Sequence, residues 1–185
     1  VGKSTFLQLL IGILKPIKGK VKHAENLNIA YVHQNPMIHF THDNVKEELL
    51  DSVNLSSKDK AELLDLDNDS FANSDILNGI KLSNLDYDFS QLIDFFKIKD
   101  LLSQHPYDCS GGEQQKIVIL KALLRNADVL VLDEPTKGLD PISSLNLSQL
   151  LQKLSANGLT IIMSSHDLDF VANNCQRCLM FFDCN

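Results

Sequence analysis

Gly2-Lys3-Ser4-Thr5 stands directly before an apolar run that starts at Phe6-Leu7. Free N–H groups at a helix start favour an anion. A lysine beside them can reach terminal phosphates, and a hydroxyl can hold magnesium. Those roles fall to Lys3 and Ser4; a surface helix start of the same composition is the plain alternative. Further on, Val129-Leu130-Val131-Leu132 runs into Asp133-Glu134-Pro135-Thr136. Two carboxylates then stand at the carboxyl end of a buried strand, the edge where open α/β sheets hold ligands. Asp133 is placed to hold magnesium, directly or through water, and Glu134 to polarise an attacking water. Taken alone, such a pair also suits a solvated strand end.

Three other features gain meaning only in company. Cys109-Ser110-Gly111-Gly112-Glu113-Gln114 opens a helix, and its glycines let a backbone approach a ligand closely. Ser110 would serve equally as an ordinary cap. Gln34 follows one strand and precedes Pro36, and His166 follows another after Ser164-Ser165. A histidine there can bond a phosphate oxygen. Two metal patterns are weaker. Cys175-x-x-Cys178 with Cys184 offers three zinc ligands and no matching fourth; buried apolar cysteines at a helix end and in a strand explain them more simply. Asp65-x-Asp67-x-Asp69 starts like a calcium loop but carries Ser70 and Ile76 where Gly and Glu belong.

These residues need a frame. An apolar helix buried on most sides is expected from Gly2 to Leu14, stopped by Pro16 and Gly19. Strands are expected at Val21 and at Ile29–Val32, with Gln34-Asn35-Pro36 ending the second. Helices are expected over 43–53, 57–65 and 90–103. The Asp-, Asn- and Ser-rich stretch 65–88 reads as a surface excursion. The last third alternates: helix 111–125, strand 129–132, helix 141–156 stopped at Asn157-Gly158, strand 159–163, helix 167–174, strand 179–182. Continuous apolar strands between helices indicate a parallel sheet covered on both faces. The 185 residues suffice for one domain, and the net charge of −7 disfavours nucleic acid and anionic membrane as general partners. The chain shows neither a signal peptide nor an initiator methionine, which leads us to expect a piece of a longer protein.

In order, the motifs are Gly2–Thr5, Gln34, Ser110-Gly111-Gly112, Asp133-Glu134, Gly138-Leu139-Asp140 and His166. Together they resemble the ATP-binding cassette (ABC) ATPases, from Val1 to about Phe182. Gln34-Asn35-Pro36, His105-Pro106-Tyr107-Asp108 and Glu134 to Pro141 are similar to ATPase subunits of energy-coupling factor transporters, in particular the second half of their tandem proteins. The signature departs from the usual pattern at Cys109 and Glu113.

The resemblance implies an α/β fold of the P-loop NTPase, ABC ATPase type, with a mainly parallel core sheet and an inserted α-helical subdomain. Within a single domain over 1–185, the RecA-like core would be 1–36 and 111–185, and the helical subdomain 43–110. ATP and Mg2+ are the implied ligands. Gly2, Lys3, Ser4, Thr5, Gln34, Ser110, Gly111, Gly112, Asp133 and Asp140 would bind nucleotide. Ser4, Gln34 and Asp133 would hold the metal, and Glu134 and His166 would be catalytic. The implied partners are a second ABC ATPase domain, closing head to tail, and transmembrane subunits at the cytoplasmic face of the membrane. The implied function is ATP-powered uptake of a vitamin or metal ion. The likeness also implies that the first strands and the rest of the phosphate loop lie upstream of Val1, so that this stretch alone would bind ATP weakly. A degenerate cassette that only completes a neighbour's site is one alternative. A DNA-repair or chromosome ATPase is another, although no heptad arm separates Gln34 from Cys109.

Overall fold

Segments 29–32, 129–133 and 160–164, apolar at most positions, form a three-stranded parallel sheet in the computed structural model, which describes residues 2–80 and 87–182. Strand β1 is Ile29–Val32, β2 is Val129–Asp133 and β3 is Thr160–Ser164, in the order β1-β2-β3. Every residue of the central β2 is buried. Its side chains alternate between faces, as a strand requires. Val129 and Val131 meet Leu7 of helix α1 (Lys3–Leu10) on one face. Leu130 and Leu132 join Ala30 and Val32 in the main core on the other. That core is filled from α7 (Gly111–Leu124) by Ile117 and Leu120, and from α8 (Pro141–Ala156) by Leu150 and Leu154. Burying each such side chain is worth about 1.5–3 kcal/mol. Helix α9 (Leu168–Asn174) follows β3 and packs on α8.

Among the described residues between β1 and α7 lie α2 (Val45–Asp51), α3 (Ser57–Leu64), α4 (Asn68–Ala72), α5 (Asp75–Asn78) and α6 (Phe89–Phe96). Most starts follow from a capping side chain, which satisfies a first-turn N–H. Asn44 caps α2, Ser56 caps α3, Asp67 caps α4 and Asp88 caps α6 in a reciprocal box with Gln91.

The structure corrects several expectations. Helix α1 stops at Leu10, because Gly12 turns the chain with φ of 82°. Only Leu7 of that helix is buried, so the segment is not enclosed on most sides. Val21 and Leu179–Phe182 lie in no strand; Phe181 instead packs its ring on Phe6, with centroids 5.4 Å apart. The helix expected over 90–103 ends at Phe96, where Lys97 takes the left-handed conformation. The stretch 65–88 is not a pure surface excursion, since Phe71, Ala72 and Leu77 enter the core from α4 and α5; its residues 81–86 lie outside the described ones. Cys178 is exposed and Cys175 half-buried, so these two are not core residues as expected; Cys109 is buried, and Cys184 lies outside the described residues. No described helix is long and apolar enough to cross a membrane.

Candidate active site

Parallel register brings Asp133 and Ser164 side by side at the carboxyl ends of β2 and β3. Asp133 is 1% exposed, and Ser164 Oγ donates to its carboxylate. Tyr31 OH donates to the other carboxylate oxygen at 3.4 Å. Burial, then the Asp133 charge, pushes the Tyr31 phenol above its ordinary value. Glu134 comes next with φ of 52°, a left-handed conformation that costs a residue other than glycine about 1–3 kcal/mol. Its N–H is fixed by Ser164, donating to the carbonyl and to Oγ at 3.1 Å each. The turn aims the Glu134 side chain along the sheet edge.

Two groups meet it there. Lys3 Nζ lies 2.8 Å from Glu134 Oε1 and also donates to the Ser165 carbonyl at 3.1 Å. His166 Nδ1 lies 2.6 Å from Glu134 Oε2, and the His166 N–H donates to the same oxygen at 3.2 Å. Burial alone would raise the Glu134 carboxyl. The hydrogen bonds and charges of Lys3 and His166 outweigh it and hold the group below its usual value. Glu134 is therefore ionised near neutrality and can only accept, so Nδ1 is the protonated nitrogen of His166.

Helix α1 starts at Gly2 with φ of 89° and no side-chain cap, so its first N–H groups are not met by a capping side chain. Ser4 is half-buried and Thr5 exposed in that turn. Gln34 is half-buried two residues past the end of β1; since Val32 pairs with Leu132, it stands on the same sheet edge as Asp133 and Glu134.

Ser110-Gly111-Gly112 form a second cluster. Ser110 caps α7 in a box with Glu113, whose carboxylate accepts from Ser110 N at 2.8 Å and Oγ at 2.7 Å. A Cβ at Gly111 would meet nothing within 4 Å, and one at Gly112 would stand 3.5 Å from Leu139. Asp140 caps α8, accepting from Ile142 N at 2.9 Å and Ser143 N at 3.0 Å. The bonds from Ser143 hold its carboxyl below the ordinary value. Among the described residues, no hydrogen bond or ion pair joins Ser110–Gly112 to Lys3, Glu134 or His166. The structure thus unites Lys3, Asp133, Glu134 and His166 and leaves the signature and Asp140 elsewhere. Sequence reasoning missed Ser164, Tyr31 and the Ser165 carbonyl. Their signal was register, because pairing β3 against β2 sets Ser164 opposite Asp133.

Comparison with known proteins bears on the family. The ABC transporter family model matches residues 1–137. A putative ABC transporter ATP-binding protein of Bacillus cereus is 35% identical over 194 residues, covering 98% of this chain and 31% of the relative. The energy-coupling factor transporter ATP-binding protein EcfA2 of Staphylococcus saprophyticus is 33% identical, over 92% of this chain and 58% of its own length. The chain thus spans under two thirds of both relatives. A solved structure described as the ATP-binding subunit of an ABC transporter superposes with a TM-score of 0.67 at 23% identity, covering 94% of this chain and 67% of that one. The uncapped phosphate-type helix start, the acidic strand end, the signature turn and a family match over most of the length lead to one assignment: the chain belongs to the ATP-binding cassette (ABC) transporter family, as an ATP-binding domain.

Proposed function

We propose that this chain binds and hydrolyses ATP to drive a membrane transporter, and that the transporter is an importer of the energy-coupling factor type. The observation that carries the reading is the Lys3–Glu134–His166 constellation beside the buried Asp133. A lysine, an ionised carboxylate, a histidine and a second carboxylate fit a polyphosphate and a hard divalent cation. The importer type rests on the likeness to EcfA2 and on the sequence around Gln34, His105 and Glu134.

In this reading Lys3 and the N–H groups of the first α1 turn bind the terminal phosphates. Ser4, Gln34 and Asp133 would hold Mg2+, which when bound neutralises phosphate charge. Glu134 orients the attacking water and takes its proton, since it is ionised and aimed along the sheet edge. His166 holds the Glu134 carboxylate in place through Nδ1–H and, with a second proton on Nε2, donates to a phosphate oxygen. Thr5 supports the phosphate turn. Ser110, Gly111 and Gly112 complete the site of a second cassette in a head-to-tail pair, which fits their distance in bonding terms from Glu134. Asp140 fixes the start of α8 along that seam. The core would comprise 1–36 and 111–185, and the helical subdomain 43–110. Gln34 would report to transmembrane subunits at the cytoplasmic face of the membrane, with a vitamin or metal ion as cargo.

Phosphate release from Mg-ATP by the full-length protein, followed against protein concentration, tests this. Turnover should rise more steeply than linearly as pairs form. A rate no faster than spontaneous hydrolysis at every concentration refutes it.

A further inference from the structure

The loop after β1 is tied down by a buried ion pair. Residues 33–42 carry Gln34 and then a 3-10 turn, Pro36–His39. Glu48 of α2 is 0% exposed, and one of its oxygens accepts from the N–H groups of Thr41 and His42. Its other oxygen is paired with Lys121 of α7, which is 5% exposed. Lys121 also donates to the His39 carbonyl at 2.7 Å and lies 5.8 Å from the Phe40 ring centre. His39 returns to the strand end, accepting from His33 N–H at 3.0 Å. The loop is thus held at three backbone points by two charges from two helices.

Such a pair is poor evidence for stability. Desolvating both charges costs about as much as their attraction returns, and apolar residues of the same size often do as well. What apolar residues cannot do is fix the loop's backbone at a set place on α7. That helix begins at the Ser110-Gly111-Gly112 turn, and Lys121 lies about 16 Å along it at 1.5 Å per residue.

We propose that Glu48 and Lys121 are positioning residues that lock the Gln34 loop to the signature helix, so that the two move as one body. The inference rests on the function proposed above and adds the link by which a push on the Gln34 loop reaches Ser110–Gly112. Neither residue touches Lys3, Glu134 or His166, so nucleotide affinity measured without Mg2+, where the metal contact of Gln34 plays no part, should not depend on them.

The test uses the full-length protein with Lys121→Met, Glu48→Gln and the conservative Lys121→Arg. Binding-competent sites are titrated with a fluorescent ATP analogue, and kcat is expressed per competent site. The expected result is a fall in kcat of about tenfold or more for Lys121→Met and Glu48→Gln, with the nucleotide Kd, measured without Mg2+, within about twofold of wild type. Lys121→Arg should restore most of the rate. Should the first two variants fail to fold, Glu48→Asp keeps the charge and shortens its reach, and the same fall is expected. Unchanged kcat per competent site would show a purely structural pair and overturn the proposal. A wild-type protein without hydrolysis would overturn both this inference and the function beneath it, whereas hydrolysis unaffected by the variants overturns this inference alone.

Discussion

Lys3 and Glu134, 131 positions apart in the chain, form an ion pair with Nζ 2.8 Å from Oε1. The start of helix α1 and the turn that follows β2 are thereby joined across the sheet edge. Lys3 is held by Glu134 and the Ser165 carbonyl, so binding phosphate requires it to exchange partners. Lys3→Met should weaken Mg-ATP binding by about tenfold or more, measured by equilibrium titration of the full-length protein. The same variant removes a group that holds the Glu134 carboxyl below its usual value. A depressed carboxyl stabilises the fold above its unfolded pKa, and that gain is lost as pH falls through the folded one. Lys3→Met should therefore flatten the loss of stability on acidification, as read by urea melts from pH 7 down to pH 3.

Ser164 holds both acidic residues at once, giving its Oγ hydrogen to Asp133 and accepting the Glu134 N–H. Ser164→Ala leaves Asp133 with one bond fewer and removes one of the two acceptors of the Glu134 N–H, the backbone carbonyl of residue 164 remaining. Turnover should fall about 10–100-fold, the usual cost of losing a group that orients a ligand-holding residue. Steady-state kinetics would show it, with a melting temperature only slightly lowered.

The His39 imidazole is pushed down to about 4, first by burial and then by the Lys121 charge. It stays neutral through the physiological range and accepts the His33 N–H. An unfolded histidine protonates near its ordinary value of 6.5, so the contribution of His39 to stability is complete above that pH. It declines as pH falls from about 6.5 to about 4, because only the unfolded chain gains the proton there. An NMR titration of the imidazole should show no protonation at pH 6. Lys121→Met should move the midpoint upward.

Asp140 caps α8 by accepting two backbone N–H groups. Asp140→Ala should lower the midpoint of chemical denaturation, and Asp140→Asn should recover most of that, since asparagine caps nearly as well.

Much of this was legible in the sequence because it is local. Ser110 with Glu113, Asp140 with Pro141, and Asn157-Gly158 state where α7 and α8 begin and where α8 ends. The apolar run 129–132 identified the central strand, and the residues after it proved to be the acidic edge. The charged groups of the site were identified by type, yet their pairing was not, since Lys3, Glu134 and His166 meet only through the sheet. Misreadings came where apolar composition had more than one outlet. Leu179–Phe182 has strand composition, but Phe181 packs on Phe6 by its ring. Phe71 and Leu77 were hidden among aspartates and asparagines, which serve as caps and turns around a buried face. Gly12 ended α1 early through its positive φ, which an apolar periodicity does not announce.

The most direct measurement compares wild type with Glu134→Gln in the full-length protein, scoring Mg-ATP binding and phosphate release together. Glutamine keeps the size but cannot take a proton, and it frees Lys3 from its ion pair. Hydrolysis should fall by about 10²–10⁴-fold, while ATP binds at least as tightly as in wild type and nucleotide-bound pairs accumulate. Phosphate release at the wild-type rate from Glu134→Gln would contradict the account.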